Sequence, residues 1–305
     1  MKLLLTGAFQ YSQEQLNTIY ALGYEVTFVQ DEQVSLDIDI SEFEVVVCNS
    51  LFLYNDIKKF KNLKFIQLTS VGLDRVPFDY IKESGIKLFN AKDVYSVPIA
   101  EWVVLKILEI YKKSKQFYKN QAEHKWEKQR DLLELTDKTV SIIGFGRVGQ
   151  EIAKRLKGFG VHIIGVGRRK IESSLLDEYY LISDIDDVLI KSDIVILTLP
   201  LTEETRYLIN EDKIKKMKDN CVMVNVSRGQ VINEVKMIKA LQDGKFLGVA
   251  LDVFEEEPLA QDNPLWNFEN VIVTPHNSFA SNRNNDRLWN VIINNISKFK
   301  EGKNV

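Results

Sequence analysis

Residues 139–156 read TVSIIGFGRVGQEIAKRL, an apolar run of strand length that passes through three glycines spaced G-x-G-x-x-G into a segment of helical periodicity. Ile152, Ala153, Leu156 and Phe159 fall on one face of that helix. A strand that turns this tightly into a helix sends the chain back across its own sheet, so the next strand must lie parallel to the first. The same arrangement recurs throughout the sequence. KLLLTGA, EVTFVQ, VVVCNS, KFIQLTS and IKLFN punctuate the first 90 residues, and TVSIIGFG, VHIIGVG, EYYLI, DIVILTLP, CVMVNVS, LGVALDVF and NVIVTPH lie between 139 and 276. Short apolar runs separated by amphipathic segments predict parallel sheets buried on both faces, a small one and then a larger one. The expected class is α/β, with two doubly wound parallel-sheet domains.

Between the two series lies PIAEWVVLKILEIYKKSKQFYKNQAEHKWEKQRD, which reads as one long helix. Trp102, Val103, Leu105, Ile107, Leu108 and Ile110 cover most of its circumference, and a helix apolar on nearly every side is buried on nearly every side. It lies between domains or between subunits, and the polar extension from Lys112 to Arg130 reads as the arm of a homodimer. NNDRLWNVIINNISKFKEGKNV is an amphipathic helix expected to return to the first domain. The 305 residues, 45% hydrophobic and 27% charged, are enough for two cores. With 40 basic and 43 acidic side chains the net charge is -3, which argues against nucleic acid or an anionic membrane as the partner. Cys48 and Cys221 sit inside apolar runs and read as buried thiols of a reducing, cytoplasmic setting, with no disulfide framework and no metal site. The apolar run in MKLLLTGAFQ is short and gives way to polar sequence, so it reads as a first strand rather than a signal peptide. No stretch approaches the ~18 apolar residues of a membrane span.

In a strand–turn–helix frame, Gly144, Gly146 and Gly149 have a chemical meaning. The first permits the tight turn, the second lets backbone approach a pyrophosphate, and the third lets helix pack on strand, so an anion meets N–H groups at the helix N-terminus. The motif predicts a bound dinucleotide. A unit of this kind that takes NAD carries an acid some 20 residues further on to hold the ribose 2'-hydroxyl. Here Gly167 stands at that point, followed by Arg168, Arg169 and Lys170. A carboxylate would repel a 2'-phosphate, whereas a guanidinium grips one in a fork. NADP(H) is therefore the expected cofactor, with NAD(H) as the alternative; a merely solvated basic turn is the competing reading.

Four further phrases carry chemistry. VNVSRGQVIN places Arg228 just beyond an apolar strand, at the carboxyl edge where open α/β sheets bind ligands. VALDVFEEEPL places three glutamates after the next strand, and VIVTPHNS places His276 after the last. An arginine, an acid and a histidine thus converge on one sheet edge. A structural ion pair for Arg228, a solvated run for the glutamates and a capping role for His276 are the plainer alternatives. His124 and His162 read as structural. LTSVGLDRV, a strand end and glycine turn in the first domain, exposes N–H groups that can receive an anion.

These phrases together resemble the D-isomer-specific 2-hydroxyacid dehydrogenases, the formate and glycerate dehydrogenase family, and within it the NADP-preferring glyoxylate and hydroxypyruvate reductases. The likeness is carried by SVGLDRV, VPIAEW, IIGFGRVGQEIAKRL, LTLPLTEETRYLIN, MVNVSRGQVINE, GVALDVFEEEP and NVIVTPHNS, in family order over essentially the whole chain. It implies a Rossmann cofactor domain (99–280), with a dimerisation helix and arm at about 99–130, inserted into a flavodoxin-like substrate domain (1–98 and 281–305). It also implies that Arg228 binds the substrate carboxylate and keto oxygen, that Glu257, singled out by its place before a proline, pairs with His276, and that His276 is the proton donor. Val71 and Gly72 are implied to offer N–H groups to the substrate carboxylate, and Asp252 to contact the nicotinamide ribose or amide region. The implied lining of the dinucleotide is Gly144, Gly146, Arg147, Val148, Gly149, Gly167, Arg168, Arg169, Thr198, Pro200 and Val226.

Those roles make chemical sense. Reducing a 2-keto acid needs a hydride on carbon and a proton on oxygen, with the carboxylate held so that the carbonyl faces the nicotinamide. An arginine polarises the carbonyl as it becomes alkoxide, and a carboxylate beside an imidazole favours its protonated form. The segment CNSLFLYND lacks the arginine expected for a phosphorylated substrate, which argues against phosphoglycerate. Leu51, Phe52 and Leu53 read either as an apolar wall for the substrate or as core, and Asn277 and Phe279 replace the small residues common after the histidine. The expected activity is NADPH-dependent reduction of a small 2-keto acid (glyoxylate, hydroxypyruvate or a small aliphatic one) to the D-2-hydroxy acid. The alternatives are the same reaction with NAD(H), or a dinucleotide-sensing binding protein without turnover.

Overall fold

The computed structural model describes residues 1–303, so the last two positions of the expected 281–305 segment lie outside the described residues. The chain divides into one unit made of Met1–Tyr95 with the segment from Ser281, and a second unit, Ser96–Ala280.

In the first unit β1 (Lys2–Thr6), β2 (Glu25–Val29), β3 (Val45–Cys48), β4 (Phe65–Leu68) and β5 (Lys87–Phe89) form one parallel sheet in the order β2-β1-β3-β4-β5. Its apolar runs are continuous because both faces are covered. Leu3, Leu5, Val45, Val47 and Phe65 enter one core, while their neighbours Leu4, Val46, Cys48, Ile66 and Leu68 enter the other. The C-terminal helix Asn284–Lys300 completes the first of these with Leu288, Ile292 and Ile296. Tyr24 Oη donates to the Ile296 carbonyl (2.8 Å) and Asn295 Nδ2 to Gln67 Oε1 (2.7 Å), so the helix is tied to β4 by a buried polar contact as well as by packing.

In the second unit β6 (Thr139–Ile143), β7 (His162–Gly167), β8 (Glu178–Leu181), β9 (Ile194–Leu197), β10 (Cys221–Asn225), β11 (Phe246–Leu251) and β12 (Val271–Val273) form a seven-stranded sheet in the order β12-β11-β10-β9-β6-β7-β8. Every pairing is parallel. The chain enters at β6, runs out to one edge through β7 and β8, and resumes on the other side of β6 at β9. That reversal opens a crevice outside the carboxyl ends of β6 and β9. Ile143, Val195, Leu197, Met223, Val249 and Leu251 fill one core; Val140, Ile142, Ile194, Ile196, Val222 and Val224 fill the other. Cys48 and Cys221 are free and buried, and burial pushes the Cys221 thiol up to about 12. Among the described residues no helix is long and apolar enough to cross a membrane.

The long helix expected from PIAEW onward is instead two helices, Ser96–Tyr111 and Ser114–Ala122. Lys113 adopts a left-handed φ of 51° and pairs with Asp131, while Lys112 Nζ donates to the Leu133 carbonyl (2.7 Å) and the Leu133 N–H to the Tyr111 carbonyl (3.1 Å). A returning segment thus takes up the helix-end groups that a continued helix would have used. The polar stretch after Tyr111 has no apolar face to hold a longer helix together. Burial is also one-sided: Ala100, Val103, Ile107 and Tyr111 are in the core, whereas Leu105 is 50% exposed.

Ile292→Ala tests the place of the C-terminal helix. Removing a fully buried side chain from this core is expected to cost about 2–5 kcal/mol, read as a lower urea midpoint for the first unit; an unchanged midpoint would mean that the helix does not hold that core.

Candidate active site

The glycine turn is built as its spacing suggests. Gly144 has φ +102°, and a Cβ there would meet the Thr198 backbone at 2.8 Å; Thr198 Oγ1 also donates to the Gly144 carbonyl (2.5 Å). Gly149 faces the Gly144 carbonyl and Ile142, where a Cβ would come within 2.9 and 3.0 Å, so helix and strand touch through it. Gly146, by contrast, faces open space within 4 Å. The helix Arg147–Leu156 starts directly after it, with Val148 half-buried and Gln150 N–H closing the first turn on the Gly146 carbonyl (2.9 Å). The arrangement suits a pyrophosphate: two glycines are required by protein packing, and the middle one leaves room for a ligand at a helix N-terminus.

Gly167 ends β7 beside β6, and Arg168 and Arg169 are exposed at that edge. A Cβ on Gly167 would lie 2.2 Å from Tyr179 Oη, which in turn donates to the Arg169 carbonyl (2.7 Å). The space an acid would need is filled by a tyrosine. Across the crevice Thr198 and the exposed Pro200 follow β9, and Val226 follows β10.

Arg228, Glu257 and His276 are brought together after β10, β11 and β12. Asn225 Oδ1 accepts from the N–H (3.0 Å) and hydroxyl (2.7 Å) of Ser227, and its Nδ2 donates to the Arg228 carbonyl (3.1 Å), which folds the arginine's turn. A Cβ on Gly229 would lie 1.8 Å from the Phe254 carbonyl carbon, so that turn is pressed against the segment leading to Glu257. Glu257 Oε2 lies 2.8 Å from His276 Nδ1, and its Oε1 accepts from the Phe254 N–H (3.1 Å). Burial pushes the Glu257 carboxyl up, but the hydrogen bonds from His276 and Phe254 and the charges of His276 and Arg228 outweigh this and hold it below the usual carboxylate range. An ionised carboxylate only accepts, so Nδ1 donates and Nε2 is the nitrogen left to face a substrate. Glu255 serves the fold by accepting from the Glu234 N–H (2.8 Å), and Glu256 is exposed. Phe279, 40% exposed, stands edge-on to the His276 ring with centroids 6.4 Å apart.

Asp252 is fully buried, and both its oxygens accept hydrogen bonds from the segment that carries His276. Among the described residues no cluster of His, Cys, Asp or Glu could hold a metal ion.

Val71 and Gly72 belong to the first unit, after β4. Their carbonyls accept from Asn90 Nδ2 (2.7 Å) and Ser70 Oγ (3.2 Å), and no group among the described residues accepts from their N–H groups. Two residues here escaped the sequence reading. Glu32 is a buried carboxylate that accepts from Thr6 Oγ1 (2.6 Å) and from the N–H groups of Asn49 and Ser50, shaping the ends of β1 and β3. Arg75, half-buried, donates to Ser50 Oγ (3.3 Å), and no carboxylate among the described residues pairs with it. It sits within SVGLDRV, after β4, the strand beside the one that CNSLFLYND follows. Of the apolar trio, Leu51 is core, Phe52 packs on Phe60 and Leu53 is 58% exposed.

A family model described as D-isomer specific 2-hydroxyacid dehydrogenase, NAD binding domain, matches residues 104–278. Hydroxypyruvate reductase of Thermotoga maritima is 37% identical over 257 residues, 83% of this chain and 83% of that one. D-3-phosphoglycerate dehydrogenase of Methanocaldococcus jannaschii is 35% identical over 251 residues, 81% of this chain but 47% of that protein, so the chain spans about half the length of this relative. Among solved structures, D-lactate dehydrogenase from Aquifex aeolicus complexed with NAD and lactic acid matches with a TM-score of 0.81 at 25% identity, covering 98% of this chain and 96% of that one. The chain belongs to the D-isomer specific 2-hydroxyacid dehydrogenases, a family of NAD(P)-dependent oxidoreductases with two parallel-sheet α/β domains.

The two glycines separate fold from binding. Gly144→Ala forces a side chain into left-handed backbone against Thr198, which should lower the melting temperature by several degrees. Gly146→Ala should melt like the wild type yet bind dinucleotide more weakly in a fluorescence titration. Equal affinity for that variant would show that the ligand does not approach at Gly146.

Proposed function

We propose that the protein reduces a small 2-keto acid to the D-2-hydroxy acid with NADPH, the first unit serving as substrate domain and the second as cofactor domain. The observation that carries this reading is the His276–Glu257 pair beside Arg228, at the same carboxyl edge as the glycine turn. Neighbouring strands are roughly 4.8 Å apart, so the row from the end of β7 to the end of β11 is long enough for an extended dinucleotide. When bound, the nicotinamide supplies the hydride. Arg228 receives the substrate carboxylate and steadies the negative charge growing on the keto oxygen. His276 gives its proton to that oxygen from Nε2, while Glu257 holds the ring through Nδ1. In the first unit, the N–H groups of Val71 and Gly72 suit a carboxylate. Glyoxylate, hydroxypyruvate or a small aliphatic 2-keto acid is the leading substrate. A homodimer fits the exposed aromatic side chains of the arm, Phe117, Tyr118 and Trp126, the last of them 95% exposed.

The test is NADPH oxidation over a panel of 2-keto acids. Turnover is expected, and His276→Ala should lose roughly a hundredfold to ten-thousandfold of it while keeping NADPH affinity. A panel with no turnover would sink the reading and favour a dinucleotide sensor. Glu257→Gln weakens the acceptor that orients the ring through Nδ1 and should lower kcat while leaving NADPH affinity unchanged, and an unchanged kcat would count against the pairing.

The NADPH preference rests on Arg168 and Arg169. Arg168 already lowers the Glu204 carboxyl slightly, behind the larger effect of the Thr202 hydroxyl, so its charge is felt at this edge. Because Gly167 is closed by Tyr179, the clean variant is Arg168→Ala. It should reduce the ratio of kcat/KM for NADPH over NADH by about tenfold, at the low end for a charge-assisted contact because solvent screens it. A ratio that stays put, or a wild type that prefers NADH, would leave the arginines as surface charge.

A further inference from the structure

The geometry points to Asn90 as the positioning residue of the glycine turn in the first unit, the side chain that aims the Gly72 N–H at a ligand carboxylate. The inference deepens the proposed function and rests on the reading that this turn receives a carboxylate. The turn follows β4, and the last register pair of β4 with β5 is Gln67 with Phe89, so Asn90 is the first residue past the paired strand. Three successive carbonyls of the turn are taken by the segment that begins there. Tyr95 Oη donates to the Thr69 carbonyl (2.6 Å), the Ala91 N–H to the Ser70 carbonyl (2.9 Å) and Asn90 Nδ2 to the Val71 carbonyl (2.7 Å).

Each of these bonds fixes more than a carbonyl. A peptide group is planar and trans, so the carbonyl of one residue and the N–H of the next point in opposite directions from one rigid plate. Holding the Ser70 carbonyl therefore turns the Val71 N–H away from the segment after β5, and holding the Val71 carbonyl does the same for the Gly72 N–H. Neither N–H meets an acceptor among the described residues, and two adjacent N–H groups held outward suit one anion. The first plate is held by backbone alone, because Ala91 offers its N–H whatever its side chain, and Ala91 is itself anchored in the core. The second plate depends on a side chain. Ser70 Oγ bonds to the Gly72 carbonyl (3.2 Å), one plate further on, so among the described residues Asn90 alone holds the plate that carries the Gly72 N–H. A plainer role, closing the end of the strand, would leave ligand affinity untouched when the amide is removed.

Oxamate, an unreactive analogue of a 2-keto acid, is the probe. The full-length protein is labelled at glycine and saturated with NADPH, with NADH in parallel, and the Gly72 amide signal is assigned by its absence from Gly72→Ala. Oxamate is expected to move that signal in the wild type. Asn90→Leu, similar in size and uncharged but without a donor, should weaken oxamate binding by roughly tenfold, the low end for a hydrogen bond to a charged group. The KM for the keto acid should rise by about as much while kcat and dinucleotide affinity stay within about twofold, the pattern expected when an interaction common to ground and transition state is lost. Asn90→Ala carries the same expectation should the leucine variant fail to fold. Oxamate affinity that is unchanged in the variant, or that falls only in step with dinucleotide affinity, overturns the inference while the carboxylate reading of the turn stands. A wild-type Gly72 signal that oxamate leaves in place brings down that reading, and the inference with it. The binding measurements need no turnover, so they decide the role of Asn90 apart from the proposed reaction.

Discussion

Two buried polar side chains, Asn225 and Asp252, turn a regular ladder of parallel strands into a place where chemistry can be held. They end neighbouring strands and are joined by the Asp252 N–H on the Asn225 carbonyl. One folds the turn that carries Arg228, and the other receives the segment that carries His276. An unpaired amide or carboxylate at this depth would be costly, and these are saturated with hydrogen bonds. Satisfied networks of this kind are stiff, so the ends of β10, β11 and β12 stay in fixed register. Gly229 completes the arrangement by letting backbone press on backbone at Phe254.

The strands were readable because a parallel sheet covered on both faces asks the same of every residue in it. Runs such as VVVC and IVIL are fully buried, and successive members enter opposite cores. The turn at Gly144 was readable for a related reason, since its left-handed backbone and its contact with Thr198 leave no choice of residue. That an arginine, an acid and a histidine would meet at this edge was readable because strand ends in such sheets are where ligands sit, while the choice of Glu257 among three glutamates came from the family resemblance alone.

What could not be read depends on contacts far apart in the chain. The helix from Ser96 stops at Tyr111 because Leu133, more than twenty residues on, bonds to its end, and a periodicity of apolar residues carries no trace of that. The partners of Asp252 lie at Thr274, Asn277 and Ser278, in a loop where His276 adopts a left-handed backbone that the sequence does not announce. Glu32 is an ordinary acid in sequence and becomes a buried acceptor only when the ends of β1 and β3 close on it.

The contact between Gly167 and Tyr179 also bears on how such a protein can change over generations. An acid at position 167 cannot simply replace the glycine, because the tyrosine hydroxyl occupies its first carbon and is itself bonded to the Arg169 carbonyl. A lineage placing an acid there would have to vacate that space first, and a smaller residue at 179 would release the basic turn before any acid had arrived. Position 167 is in this way locked as glycine by the side chain at 179, and the lock opens only by paired substitutions.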